Sequence, residues 1–188
     1  MLEQALIDYC SPTLAHLKTG SLFTLPCADQ ACLNGQVAAL TGQLAHKGLV
    51  LTVLRFRRGR ALLYLYRTAA LAASLEGGAT RAFLSACGYA DFGLAAVLDT
   101  LRARLAARED FPHEIGVFLG YPLSDVIAFI ENDGQNCLCC GCWKVYSNEC
   151  AARRTFEQYR KCKRVYLRRF REGCPLSRLA VATHRATA

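Results

Sequence analysis

Four cysteines fall within six residues, Cys137-Leu138-Cys139-Cys140-Gly141-Cys142, as two interleaved C-x-x-C pairs, Cys137/Cys140 and Cys139/Cys142. Two thiolates three apart on a turn can grip one soft metal ion or close a redox disulfide. Adjacent Cys139 and Cys140 project differently, so a single ion is not expected to take all four. One C-x-x-C pair plus outside ligands suits zinc or an iron–sulfur cluster better, and Cys150, at the start of the next predicted helix, can return to the loop as a fifth thiolate. Cys162 lies twelve helical residues further on, about 18 Å along the axis, against ~2.3 Å for a Zn–S bond. No second C-x-x-C or H-x-x-x-H completes a zinc signature. A dithiol redox pair, or a group of reduced thiols with no specific role, are the alternatives.

A second place for chemistry is Gly120-Tyr121-Pro122. Ile115–Leu119 reads as a short apolar strand, and Pro122 opens a helix whose Leu123, Val126, Ile127 and Ile130 follow i, i+3, i+4, i+7. A strand feeding a helix N-terminus offers free N–H groups and a positive dipole end to a small anionic ligand. Gly120 and Tyr121 are therefore candidate ligand-binding residues; against that, most such turns bind nothing. His113 is a third candidate, since imidazole titrates near neutrality and Glu114 beside it invites an acid–base reading. About six extended residues, some 20 Å, would separate His113 from the turn, so a structural role for it is expected.

The third feature is electrostatic. Residues 1–150 hold 12 Lys+Arg against 13 Asp+Glu, whereas residues 151–188 hold 11 against 2, so the whole net charge of +8 is C-terminal. Arg153, Arg160, Arg164, Arg168 and Arg171 line one face of a long predicted helix, while Phe156, Tyr159, Cys162, Tyr166 and Phe170 form its apolar stripe. Such a ridge can track an acidic partner protein or, with less support, nucleic-acid phosphates. A plain solvated face is the alternative, and no nucleic-acid-binding motif accompanies it. There is also no Gly-rich phosphate loop, dinucleotide fingerprint or serine nucleophile elbow, and His16, His46 and His184 stand alone. Nothing in the sequence demands an enzyme.

The elements that must position these residues alternate in type. Ser11-Pro12 reads as the start of a short helix ending near Leu17, followed by a strand over Ser21–Leu25 and a helix over Leu33–His46. Leu49–Phe56 and Ala61–Tyr66 form a hairpin turning at Gly59. Ala69–Leu75, Ala79–Ala86 and Phe92–Ala107 look helical. The cysteine segment reads as a loop, Trp143–Tyr146 as a strand, and a helix capped at Ser147 or Asn148 runs to about Arg171. Pro175–Ala182 reads as a last short helix. A single mixed α/β domain over residues 1–188 is expected, with one small sheet carrying a hairpin, flanking helices, and disorder confined to the last six or so residues. Mean hydropathy of +0.15 supports a real core. No apolar run reaches the ~18 residues of a membrane span, and no export signal is expected, so the eleven cysteines read as reduced cytoplasmic thiols.

The stretch His113-Glu114-Ile115-Gly116-Val117-Phe118-Leu119-Gly120-Tyr121-Pro122, with Asp125-Val126, Phe129-Ile130 and Trp143-Lys144-Val145-Tyr146, resembles a bacterial family of unknown function (number 3793 of the domain-of-unknown-function series), common in clostridia-like Firmicutes. Ser11-Pro12-Thr13-Leu14 with Lys18, Leu63-Tyr64-Leu65-Tyr66-Arg67 and Cys87-Gly88-Tyr89 extend the resemblance over nearly the whole chain. It implies no activity. It does imply anaerobic iron or redox physiology, with an acidic flavodoxin as one partner for the arginine ridge. The leading expectation is a non-enzymatic thiolate metal-binding protein, with a ligand pocket at Gly120-Tyr121-Pro122 and an adaptor surface as competitors.

Overall fold

The computed structural model describes residues 1–107 and 110–182; the C-terminal residues expected to be disordered, His184 among them, lie outside the described residues. The chain is mixed α/β and divides into two compact units, one formed by Met1–Ala70 with the residues from Cys162 onward, the other by Leu71–Lys161.

In the first unit, α1 (Leu2–Leu14) buries Leu2, Leu6, Cys10 and Leu14, one residue in four along a single helix face. It begins far earlier than the short helix expected after Ser11-Pro12, and Pro12 sits in its last turn rather than its first. There it gives up the bond to the carbonyl four residues back and crowds that carbonyl, two residues before the helix ends. Asp29 caps α2 (Gln30–Ala45) by accepting the Cys32 N–H at 2.9 Å, and Leu33, Val37, Leu40 and Leu44 form its buried stripe.

Strands β1 (Gly20–Pro26), β2 (Leu49–Arg57) and β3 (Arg60–Arg67) pair antiparallel in the order β1-β3-β2. The β2–β3 turn places Arg58 and Gly59 at φ +48° and +69°, the two positive angles a two-residue hairpin needs to match strand twist. As the middle strand, β3 is buried at every residue from Ala61 to Arg67.

Arg67 ends that strand with no exposed surface. Its Nε donates to the Thr13 carbonyl at 2.7 Å, and one terminal nitrogen donates to Leu14 and Val181 at 2.7 and 2.8 Å. The guanidinium thus satisfies carbonyls at the negative end of α1 and fixes Val181 against it. Burial pulls its pKa below the usual arginine range. The 97 residues of this unit hold 14 Lys+Arg against 4 Asp+Glu, so the basic excess belongs to the unit as a whole rather than to a C-terminal tail alone.

The second unit contains α4 (Gly78–Ala86), α5 (Leu94–Ala107), α6 (Ile115–Phe118), α7 (Leu123–Glu131), β4 (Cys139–Cys140) and β5 (Lys144–Val145), together with most of α3 (Thr68–Glu76) and the first half of α8 (Glu149–Arg171). A last short helix, α9 (Leu176–Leu179), belongs to the first unit. Two assignments in this unit differ from the sequence reading. Ile115–Leu119 is not a strand but the short helix α6 with its C-cap, and Cys139-Cys140 is not loop but a strand paired with Lys144-Val145. A buried apolar run of five residues carries no period that separates strand from helix.

Replacing Arg67 with methionine keeps the bulk but removes the guanidinium bonds to the Thr13, Leu14 and Val181 carbonyls, the first two of them buried. A loss of about 3 kcal/mol or more is expected from the cost of unpaired buried acceptors, measured as a lowered urea midpoint with an unchanged slope.

Candidate functional site

The site is built from the α6–α7 turn upward. Leu119 caps α6, Gly120 follows at φ +74°, the Gly120 N–H bonds to the Val117 carbonyl at 3.0 Å, and the Tyr121 N–H reaches the Gly116 carbonyl at 2.9 Å. This is a Schellman ending, which demands a left-handed residue at the position Gly120 occupies. Gly120 therefore makes the turn. Winding 115–118 into a helix shortens the path from His113 to Tyr121, which an extended strand would have held far apart, and both residues line one cavity of about 180 Å³.

Ile115, Gly116 and Val126 supply its aliphatic surface, and Tyr121, Phe129 and Trp143 supply three aromatic walls. His113, Asp125 and Lys144 are the polar members. His113 is the exposed one and stands at the mouth, its ring edge-on to Phe129 at 5.1 Å. Glu114 beside it points elsewhere: it is buried, pairs with Arg104 and accepts the Tyr89 hydroxyl at 3.3 Å. The acid–base pairing of His113 with Glu114 therefore has no geometry behind it.

Asp125, in the first turn of α7 and only 2% exposed, organises the rest. One carboxylate oxygen accepts the Trp143 indole N–H at 2.8 Å. The other accepts the Tyr146 N–H at 3.0 Å, the Ser147 N–H at 2.9 Å and the Ser147 hydroxyl at 2.8 Å. Burial pushes the carboxyl upward, but these four donors outweigh it and hold its pKa below the ordinary carboxylate value. Trp143 is then clamped from both sides, stacked on Tyr121 at 5.1 Å and edge-on to Phe156 at 4.5 Å. The Tyr121 hydroxyl donates to the Cys142 carbonyl at 2.9 Å. A Cβ on Gly141 would lie 2.3 Å from the Phe156 ring, so only glycine lets the hairpin settle this closely on α8.

The cysteine segment is consequently the outer part of a cavity wall. In β4, Cys139 packs half-buried against Val145, Ala152 and Phe156, whereas the next residue, Cys140, is exposed, as strand alternation requires. Cys137 is half-buried near Tyr146, Cys142 is exposed near Tyr121 and Tyr159, and Cys150 is exposed at the start of α8. Among the described residues no three His, Cys, Asp or Glu side chains come together to hold a metal ion, and all eleven cysteines are free thiols. The structure thus does not gather Cys137, Cys139, Cys140, Cys142 and Cys150 into one ligand set.

Along α8, Arg153, Arg160, Arg164, Arg168 and Arg171 are all exposed, as the spacing predicts, with Phe156 buried and Tyr159, Cys162, Tyr166 and Phe170 half-buried. Arg153 pairs with Glu149 at 2.6 Å and Arg168 with Glu172 at 3.8 Å, while Arg160, Arg164 and Arg171 have no carboxylate partner among the described residues. Sequence reasoning missed Asp125, Phe129, Trp143 and Lys144 as site residues. Asp125 lies off the Leu123, Val126, Ile127 and Ile130 stripe, and an acid in the first turn of a helix is ordinary, so nothing local in the sequence signals its burial.

A family model, Protein of unknown function (DUF3793), matches residues 6–180, and the chain belongs to that family. Neither the curated proteins nor the solved structures give a match.

Asp125→Asn turns one acceptor into an amide N–H₂ facing either the indole N–H or the cluster of three donors. A destabilisation of about 2–4 kcal/mol is expected, read by urea titration of the Trp143 fluorescence. Because the folded carboxyl is depressed, its stabilisation is complete above the unfolded pKa, near 3.9, and disappears as pH falls through the folded value. The wild type should therefore lose stability on acidification below about pH 4, and Asp125→Asn should lose less. For the thiols, brief maleimide labelling followed by mass mapping should mark Cys32, Cys140, Cys142 and Cys150 first. Cys10, fully buried and with its pKa raised by burial, should react only after unfolding.

Proposed function

We propose that this DUF3793 protein is a small-molecule-binding protein whose site is the aromatic cavity between α6, α7 and the cysteine hairpin. The observation that carries this reading is the cavity itself: three aromatic rings and a few polar groups converge on one concave space, and a buried carboxylate holds the hairpin wall in place. Binding sites are mostly apolar and preformed in this way.

Volume limits the ligand. A cavity of about 150 Å³ is known to accept benzene, and about 180 Å³ here leaves room for one six-membered ring and a small substituent. Drug-sized ligands use roughly 300 Å³ and more, so a flavin or dinucleotide could enter only in part. The aromatic walls favour a planar ring, which can stack on Tyr121 or Trp143 or meet the edge of Phe129. Thiolate metal binding would require the hairpin to reorganise until a third ligand joined one C-x-x-C pair. The cavity needs no rearrangement, so the geometry supports it better.

Trp143 is the single tryptophan of the chain and lines the cavity, so its fluorescence reports on occupancy directly. Titration with a panel of single-ring compounds should give saturable changes in intensity or emission maximum for some of them. Tyr121→Ala should weaken that binding about tenfold or more, the loss of one aromatic contact and one wall anchor, with the fold retained by circular dichroism. A flat titration across the panel would remove the cavity reading.

A further inference from the structure

The charge of the ligand can be read from which polar atoms of the cavity are already committed. The Asp125 carboxylate meets four donors, so its negative charge is largely answered before any ligand arrives. The Trp143 indole N–H is spent on that carboxylate, and the Tyr121 hydroxyl donates its proton to the Cys142 carbonyl. Two groups keep donor capacity. Lys144 Nζ gives one N–H to the Gly134 carbonyl at 2.6 Å and retains two more. The ring nitrogens of His113 make no hydrogen bond among the described residues.

Both groups flank the same aromatic ring: Lys144 Nζ lies 5.8 Å from the Phe129 centroid and the His113 ring 5.1 Å from it. Lys144 is half-buried and has no carboxylate partner among the described residues. A partly desolvated ammonium facing an apolar cavity repels a cationic ligand and leaves a neutral one without compensation for its charge. An anionic group placed between Lys144 and His113 supplies that compensation through charge-assisted hydrogen bonds.

Building on the cavity reading, we infer that the ligand is a single-ring monocarboxylate, its ring held between Tyr121, Phe129 and Trp143 and its carboxylate met by Lys144, with His113 as the second donor at the mouth. The hairpin is then part of the recognition machinery, because β5 and the residue before it deliver Lys144 and Trp143 as neighbours, Trp143 for the ring and Lys144 for the charge.

Benzoate and its neutral isostere benzamide separate the ring from the charge, and both can be titrated against the intact chain by Trp143 fluorescence and by calorimetry. Benzoate should bind about tenfold or more tighter than benzamide, the worth of one hydrogen bond to a charged group. Lys144→Met should bring benzoate down to the benzamide level and leave benzamide unchanged. His113→Gln should lower benzoate affinity by a smaller factor, and it serves as the test should Lys144→Met fail to fold. Benzamide binding as tightly as benzoate to the wild type would overturn the charge assignment while leaving the cavity reading intact. If neither probe binds while another single-ring compound of the panel does, the monocarboxylate assignment falls and the cavity reading stands; a panel flat throughout removes both.

Discussion

Four hydrogen bonds converge on the carboxylate of Asp125, and the architecture of the candidate site depends on them. A charge buried in the first turn of a helix is favoured there by the helix dipole, but removing it from water is costly unless donors replace the lost hydration. Trp143, Tyr146 and Ser147 provide those donors from a single stretch of chain. The requirement to satisfy one carboxylate therefore fixes where residues 143–147 lie on α7. Once they are fixed, Trp143 has its place between Tyr121 and Phe156, Lys144 stands beside Phe129, and the cavity has its third wall.

The other compact unit uses the same device with the opposite sign. Arg67 is buried at the end of the central strand, and its partners include the backbone carbonyls of Thr13, Leu14 and Val181. Those carbonyls belong to segments more than fifty residues from Arg67 in the chain, so a single side chain ties together the end of α1, the central strand and the C-terminal segment. Polar groups of this kind are expensive to strand and hard to replace, which makes them specify one arrangement more sharply than apolar packing does.

The cysteines show how position in a fold can change the meaning of a motif. Closely spaced thiols are natural metal ligands when a loop can wrap around an ion. Here Cys139, Cys140 and Cys142 lie on a two-residue strand and its turn, where alternation sends Cys139 into the small core of Val145, Ala152 and Phe156 and Cys140 to solvent. The hairpin is held to α7 by the Asp125 bonds and pressed onto Phe156 at Gly141. A segment anchored on both sides is suited to being a wall.

Much of the fold was legible in the sequence because it rests on local rules. The stripe of α2, the hairpin turning at Arg58-Gly59, the amphipathic face of α8 and its exposed arginines all follow from periodicity and turn chemistry that a few consecutive residues carry. Family membership was legible as well, since it resides in a string of residues. What local rules could not reach was decided by tertiary structure. Ser11-Pro12 looked like a helix start because the burial of Leu2, Leu6 and Ile7 depends on packing that no capping signal reports. Ile115–Leu119 looked like a strand because a short run buried on all sides has no period. That one difference in winding moved His113 and Tyr121 from separate ends of a strand into one cavity. The cavity's remaining walls come from α7 and from β5 with the residue before it, joined through Asp125 across about twenty residues of sequence. The sequence by itself determined which residues carry charge, aromatic rings and thiols; only the folded chain determined which of them meet, because their meeting depends on satisfying buried polar groups between segments distant in the sequence.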